Sequence, residues 1–167
     1  MLRCTKLKTR QGRKEETMII SQWSAPGSEA AFARDVRRAV FQQELHLPAE
    51  QVFDPADDRC WQLAFLDEGI PVAAGRIGYH SLGVAELSQI CVVPDRRGEG
   101  LGDGVLKTLI LKAETLGMKQ AVARCTGDVA GFFETVEFRA ESVEPETGIV
   151  TMRRELGIGF KCHCADQ

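Results

Sequence analysis

The sequence predicts a mixed α+β domain of the broad α/β class, with a mostly antiparallel sheet, one parallel strand pair and helices on its faces. Three observations predict it. Apolar runs separated by tight turn signals, from Cys60 to Leu66, Ile70 to Tyr79 and Val84 to Val93, read as antiparallel strands. Val105, Leu106, Leu109, Ile110, Ala113 and Leu116 recur at helical spacing between two strand-like runs. A helix that crosses over between two strands of one sheet makes them parallel. At 167 residues, with 44% hydrophobic and 27% charged, the chain is expected to form one self-sufficient core.

The elements follow in order. Ile19 to Gln22 reads as a short strand, and Ala25-Pro26-Gly27-Ser28 as a turn with Ser28 placed to cap the next helix. Phe32, Val36, Ala39 and Val40 give that helix an apolar face, which His46-Leu47-Pro48 interrupts. Asp54 to Asp58 reads as a solvated acidic loop. Asp67-Glu68-Gly69 and Ser81-Leu82-Gly83 are hairpin turns, and Gly75 marks an expected bulge between them. After the long helix, Gly117 is a fitting C-cap. Ala121 to Cys125 is then a strand, Val129 to Thr135 a short helix, and Phe138 to Ser142 and Ile149 to Arg154 the closing strands. The expected organisation is an N-terminal extension over 1–18, a folded domain over 19–157 and a tail over 158–167.

Composition excludes several classes. A net charge of −3 and a pI of about 5.7 give no global electrostatic case for nucleic acid. Arg3, Lys6, Lys8, Arg10, Arg13 and Lys14 form a basic stretch that reads as a solvated extension. No apolar run approaches the ~18 residues of a membrane span and no signal-peptide core is visible, so a cytoplasmic location without membrane partners is the default. Of six cysteines, Cys60, Cys91 and Cys125 lie in strand-like runs as small buried hydrophobes. Cys162-His163-Cys164 places three soft ligands in a row, but adjacent side chains point apart and no second pair accompanies them. No metal is expected.

The most informative stretch is Arg97-Gly98-Glu99-Gly100-Leu101-Gly102, between an apolar strand and the long helix. Glycines there let the backbone curl closely around a ligand, and the helix start offers unpaired amides and the positive end of its dipole. Such a turn is a cradle for a diphosphate, with Arg96 and Arg97 as added charge. The P-loop is excluded because no Lys-Ser or Lys-Thr follows Gly102. The dinucleotide fingerprint is excluded because the spacing is Gly-x-Gly-x-Gly-x-Gly, at mid-chain.

What remains, Cys91-Val92-Val93-Pro94-Asp95-Arg96-Arg97-Gly98-Glu99-Gly100-Leu101-Gly102, resembles the acetyl-CoA motif of the GNAT family of N-acetyltransferases. Ala130 to Phe138 is similar to the family's helix-to-strand landmark. Val36 to Phe41, Asp54 to Asp58 and Gly148 to Leu156 resemble segments of one bacterial branch. The resemblance spans roughly Ile19 to Leu156. It implies a sheet whose central parallel strands splay apart, acetyl-CoA as co-substrate, and an amine acceptor, with a homodimer left open. The residues it assigns to the cofactor are Ile90, Cys91, Val92, Arg96, Arg97, Gly98, Glu99, Gly100, Leu101, Gly102 and Phe133. The amide of Cys91 or Val92 would steady the thioester carbonyl.

Catalytic candidates are fewer. Glu86 is the only acid on the strand before the cradle and matches the general-base position of the histone-acetylating branch. Strict alternation would put Glu86, Ser88, Ile90 and Val92 on one face. Ser88 and Gln89 stand where the glucosamine-phosphate branch has adjacent acids, which argues against that substrate. Phe133 stands where many members carry a tyrosine acid, leaving Tyr79, beside His80, as the only phenol in the chain. Two functions follow: an enzyme transferring acetyl groups to a primary amine, or a CoA-binding sensor with little turnover. A ping-pong route through Cys91 or Cys125 lacks a neighbouring histidine.

Overall fold

The computed structural model describes residues 18–157. The basic stretch and Cys162-His163-Cys164 lie outside the described residues. Seven strands form one sheet: β1 (Ile19–Ser24), β2 (Trp61–Asp67), β3 (Ile70–Ser81), β4 (Val84–Val92), β5 (Gln120–Thr126), β6 (Arg139–Val143) and β7 (Ile149–Glu155). Across the sheet the order is β1-β2-β3-β4-β5-β7-β6, and only β4 and β5 run parallel. Helix α1 (Ala31–Arg37) continues as a π-helical stretch over Arg38–Glu44; α2 spans Ala49–Val52, α3 Leu101–Thr115 and α4 Ala130–Glu134.

Two cores cover the faces. On one, α3 buries Val105, Leu106, Leu109, Ile110 and Ala113 against Leu63, Leu87, Phe138 and Met152. Gly75 makes this possible: a Cβ there would lie 2.8 Å from both Leu109 Cδ1 and Val105 Cγ1, so glycine lets the helix lie directly on β3. On the other face, Ala33, Val36 and Val40 pack on Ala64, Leu66, Ala74 and Cys91. Glu68 and Gly69 both have positive φ (49° and 82°), the mirror-image turn that suits a two-residue hairpin between β2 and β3. Gly117, at φ 78°, ends α3 with its N–H bonded to Glu114 O at 3.0 Å.

Several expectations are corrected. The first helix starts after Ala30, at φ 52°, with no side-chain cap from Ser28. Its buried face is Ala33, Val36, Arg37 and Val40, while Phe32 is exposed. The bulge opposite Gly75 has its extra residue on β4: Ala74 pairs with Cys91 and Arg76 with Ser88, so Gly75 faces both Gln89 and Ile90. Gln89 adopts φ 56°. The stretch Asp54 to Asp58 is not a solvated loop. Pro55–Arg59 forms a 3-10 turn that brings Asp54 and Asp57 inward onto two arginines.

No helix among the described residues is long and apolar enough to cross a membrane. Cys60 and Cys91 are buried, Cys125 is half-buried, and all three are free thiols.

Candidate active site

The parallel strands separate almost as soon as they pair. Val84, Ala85 and Glu86 align with Gln120, Ala121 and Val122, and the ladder then stops although both strands continue. A bulge at Gln89, three residues on, bends β4 within the stretch that has left β5. The opening holds a cavity of about 400 Å³. Leu87, Ser88, Gln89 and Ile90 line it from β4, Arg124 and Cys125 from β5, and Phe132 and Phe133 from α4. Beyond Glu86, β4 has no strand partner on its β5 side among the described residues, so that edge is open to an extended ligand.

The glycine turn sits between β4 and α3. Gly98 and Gly100 are both at φ 79°, in the left-handed region, and a Cβ at either would point into open space. The first helical bond is from Gly104 N–H to Gly100 O at 3.0 Å, which leaves the preceding amides to an outside acceptor. This geometry fits a diphosphate. Gly100→Val places a β-branched residue at that φ, at about 1–2 kcal/mol of backbone strain or more. It is expected to weaken CoA binding about tenfold or more by calorimetry; unchanged affinity would remove the cradle from the site.

The arginines play another part than free counter-charges. Arg96 is held by Glu99 (2.9 Å) and Asp67 (2.7 Å). Arg97 forms a two-pronged pair with Glu44 (2.8 and 2.6 Å) and donates through Nε to Val92 O at 3.1 Å. They shape the turn and tie it to β2, β4 and the end of the first helix. The positive potential at the turn therefore rests chiefly on the helix amides.

The bulge also splits β4 between two faces. Ala85 and Leu87 belong to the α3-side core, as do the packing contacts of Ile90 and Val92, whereas Cys91 belongs to the other core. Glu86 and Ser88, which alternate with Ala85 and Leu87, therefore lie on the face opposite to Ile90 and Val92. The shared face expected for all four is corrected by one residue of register. Glu86 and Ser88 instead line a second cavity of about 330 Å³, with Ala56, Arg59, Arg76 and Tyr79. Ser88 lines both cavities.

Behind this second cavity lies a charge cluster absent from the sequence reading. Arg37, with no exposed surface, donates to Asp57 at 2.9 and 3.0 Å, to Gln62 at 2.9 Å, and to Val52 O. Arg76 donates to the same Asp57 at 2.8 Å, to Asp54 at 3.1 Å and to Ser88 Oγ at 3.1 Å. Asp57 thus joins the 3-10 turn to the first helix and β3, and Arg37 brings in β2 through Gln62. Its only sequence signal is the pairing of an arginine on the apolar helix face with the Asp-x-x-Asp segment.

Tyr79 is 72% exposed at the outer end of β3, and the structure does not bring it to the opening between β4 and β5. Phe133 does reach that opening, with its ring in edge contact with Phe132 and Phe138. Burial pushes the Cys91 thiol up to about 12, and burial also raises Cys125, so neither presents a thiolate at neutral pH.

A strand that leaves its parallel neighbour beside a glycine-rich helix start defines an acyl-CoA-dependent acyltransferase fold. The chain matches the model of the acetyltransferase (GNAT) family over residues 20–138 and belongs to that family. It is 28% identical over 107 residues to an uncharacterised N-acetyltransferase of Bacillus subtilis, covering 64% of this chain and 76% of that one. In fold it is similar to an acyl-CoA N-acyltransferase from Pseudomonas aeruginosa (TM-score 0.72, 19% identity, 81% and 99% of the two chains). It is also similar to the ribosomal-protein-S18-alanine N-acetyltransferase of Escherichia coli (TM-score 0.67, 17% identity, 86% and 98%). The protein is an N-acetyltransferase that uses a CoA thioester.

Proposed function

We propose that the enzyme moves an acetyl group from acetyl-CoA directly to a primary amine of a small molecule or peptide. The carrying observation is that β4 parts from β5 immediately after Glu86, with a glycine-rich anion cradle in the turn that follows the strand. In this reading the amides from Gly98 to Gly102 hold the diphosphate, and the β4 backbone from Ile90 to Val92, on the side that β5 leaves open, pairs with the pantetheine arm. An amide of Cys91 or Val92 meets the negative charge developing on the thioester oxygen. Glu86, on the opposite face, takes the proton of the incoming amine. Two faces then serve two ligands, which supports direct transfer in a ternary complex.

No phenol is assigned to the departing thiolate. A CoA thiol is about as acidic as cysteine, with a pKa near 8.5, so it leaves without a strong acid. Phe133→Tyr is accordingly expected to change kcat less than about threefold, well under the ~1.4 kcal/mol of a tenfold effect. A gain of tenfold or more would show that the natural enzyme lacks an acid it needs. The test of the whole reading is thiol release from acetyl-CoA in the presence of a panel of amines. Release that depends on the amine, with an N-acetylated product by mass spectrometry, is expected; CoA binding without any such release would overturn it.

A further inference from the structure

The cavity of about 330 Å³ beside Glu86 holds more cationic donors than proton removal from an amine requires. Arg76 is only 7% exposed, yet its Nη2 makes no hydrogen bond among the described residues while its Nε and Nη1 are fully engaged. Arg76 lines the cavity, and Nη2 is the one nitrogen of its guanidinium left for a ligand. Arg59, an exposed residue, also lines this cavity and has no ion pair among the described residues. Arg37 and Arg76 are balanced by Asp54 and Asp57, which leaves Arg59 and Glu86 as opposite charges on one small cavity, not bonded to each other.

We propose that the acceptor is a small amino carboxylate, its amine beside Glu86 and its carboxylate gripped by Arg59 and the free Nη2 of Arg76. The planar fork of a guanidinium matches a carboxylate better than it matches any neutral group. Arg76 pairs with Ser88, two residues from Glu86 on the same face, and such residues recur about every 7 Å, so Arg76 and Glu86 lie within the span of one small molecule. The cavity is in the range that encloses such a ligand. In the transfer, the amine nitrogen bonds to the acyl carbon as the C–S bond breaks. The amine proton passes to Glu86, and the electron pair of the broken bond leaves with sulfur as the thiolate.

This inference rests on the acetyl-transfer reading, and its test separates the two. The twenty common amino acids are offered with acetyl-CoA, each as the free acid and as the primary amide. An amide's amine is the weaker base and is less protonated at neutral pH, so intrinsic reactivity favours the amides. The expected result is the reverse: at least one free acid reacts with kcat/KM tenfold or more above its amide, and Arg59→Gln brings the two together. Amides reacting as well as acids, or a preference unchanged in Arg59→Gln, overturns the carboxylate subsite while leaving acetyl transfer standing. If no amine reacts, acetyl transfer to amino acids fails, and saturation-transfer NMR of the CoA-loaded protein decides the subsite. Binding of acids over amides that Arg59→Gln abolishes retains it; equal or absent binding overturns it.

Discussion

Asp57→Ala is expected to lower the free energy of unfolding by about 3–5 kcal/mol, measured by urea denaturation. Asp57 compensates two guanidiniums at once, and Arg37 has no contact with water to fall back on. Removing the carboxylate leaves Arg37 with only Gln62 and Val52 O, and a buried charge without a counter-ion is far costlier than a missing surface pair. Against a typical total of about 5–15 kcal/mol, the loss brings the protein near its unfolding threshold. Asp54→Ala should cost about 1 kcal/mol, because Asp54 is part-exposed and Arg76 keeps Asp57. Asp58, exposed and without an ion pair among the described residues, should tolerate alanine within about 0.5 kcal/mol. Equal effects at positions 57 and 58 would refute the hub.

Glu86→Gln is expected to lower the transfer rate about 10²-fold or more while leaving CoA affinity nearly intact. Glutamine keeps the size and hydrogen bonding of the side chain but takes no proton. The separation of effects follows from geometry: Glu86 opposes Gly78 and lines the second cavity, away from the face of Ile90 and Val92. Calorimetry with CoA and initial rates with a reactive amine measure the two quantities independently. Full activity in the variant would make Glu86 a bystander and assign deprotonation to solvent or to another residue.

Much of the fold was legible because its signals are local. The stripe from Val105 to Ala113 is buried as its spacing implies, and Gly117 ends that helix at positive φ. The glycine turn follows its strand and opens its helix as read, with Gly98 and Gly100 in conformations that favour glycine. What escaped was non-local. Nothing near Arg97 announces Glu44, which lies 53 residues upstream, and nothing near Asp57 announces Arg37 and Arg76. Phe32 counts as apolar on any helical wheel, yet the true stripe runs through Ala33 and admits a buried arginine. The bulge was legible in position, at Gly75, but not in which strand carries the extra residue. Its left-handed residue is a glutamine, whereas the glycine that drew notice, Gly75, serves the close approach of α3.

That glutamine makes β4 sensitive to length in a way its composition does not suggest. Deleting Gln89 would restore a regular pleat opposite Gly75 and exchange the two surfaces for every residue from Ile90 to Val92. Cys91 would turn into the α3 core, and Ile90 and Val92 would turn towards Ala33 and Val36. Homologous sequences that share this architecture should therefore accept insertions and deletions in the hairpin at Leu82-Gly83, where Leu82 is fully exposed, yet preserve the residue count from Glu86 to Gly98. The geometry predicts that this segment keeps its length even where the side chains between Glu86 and Gly98 vary.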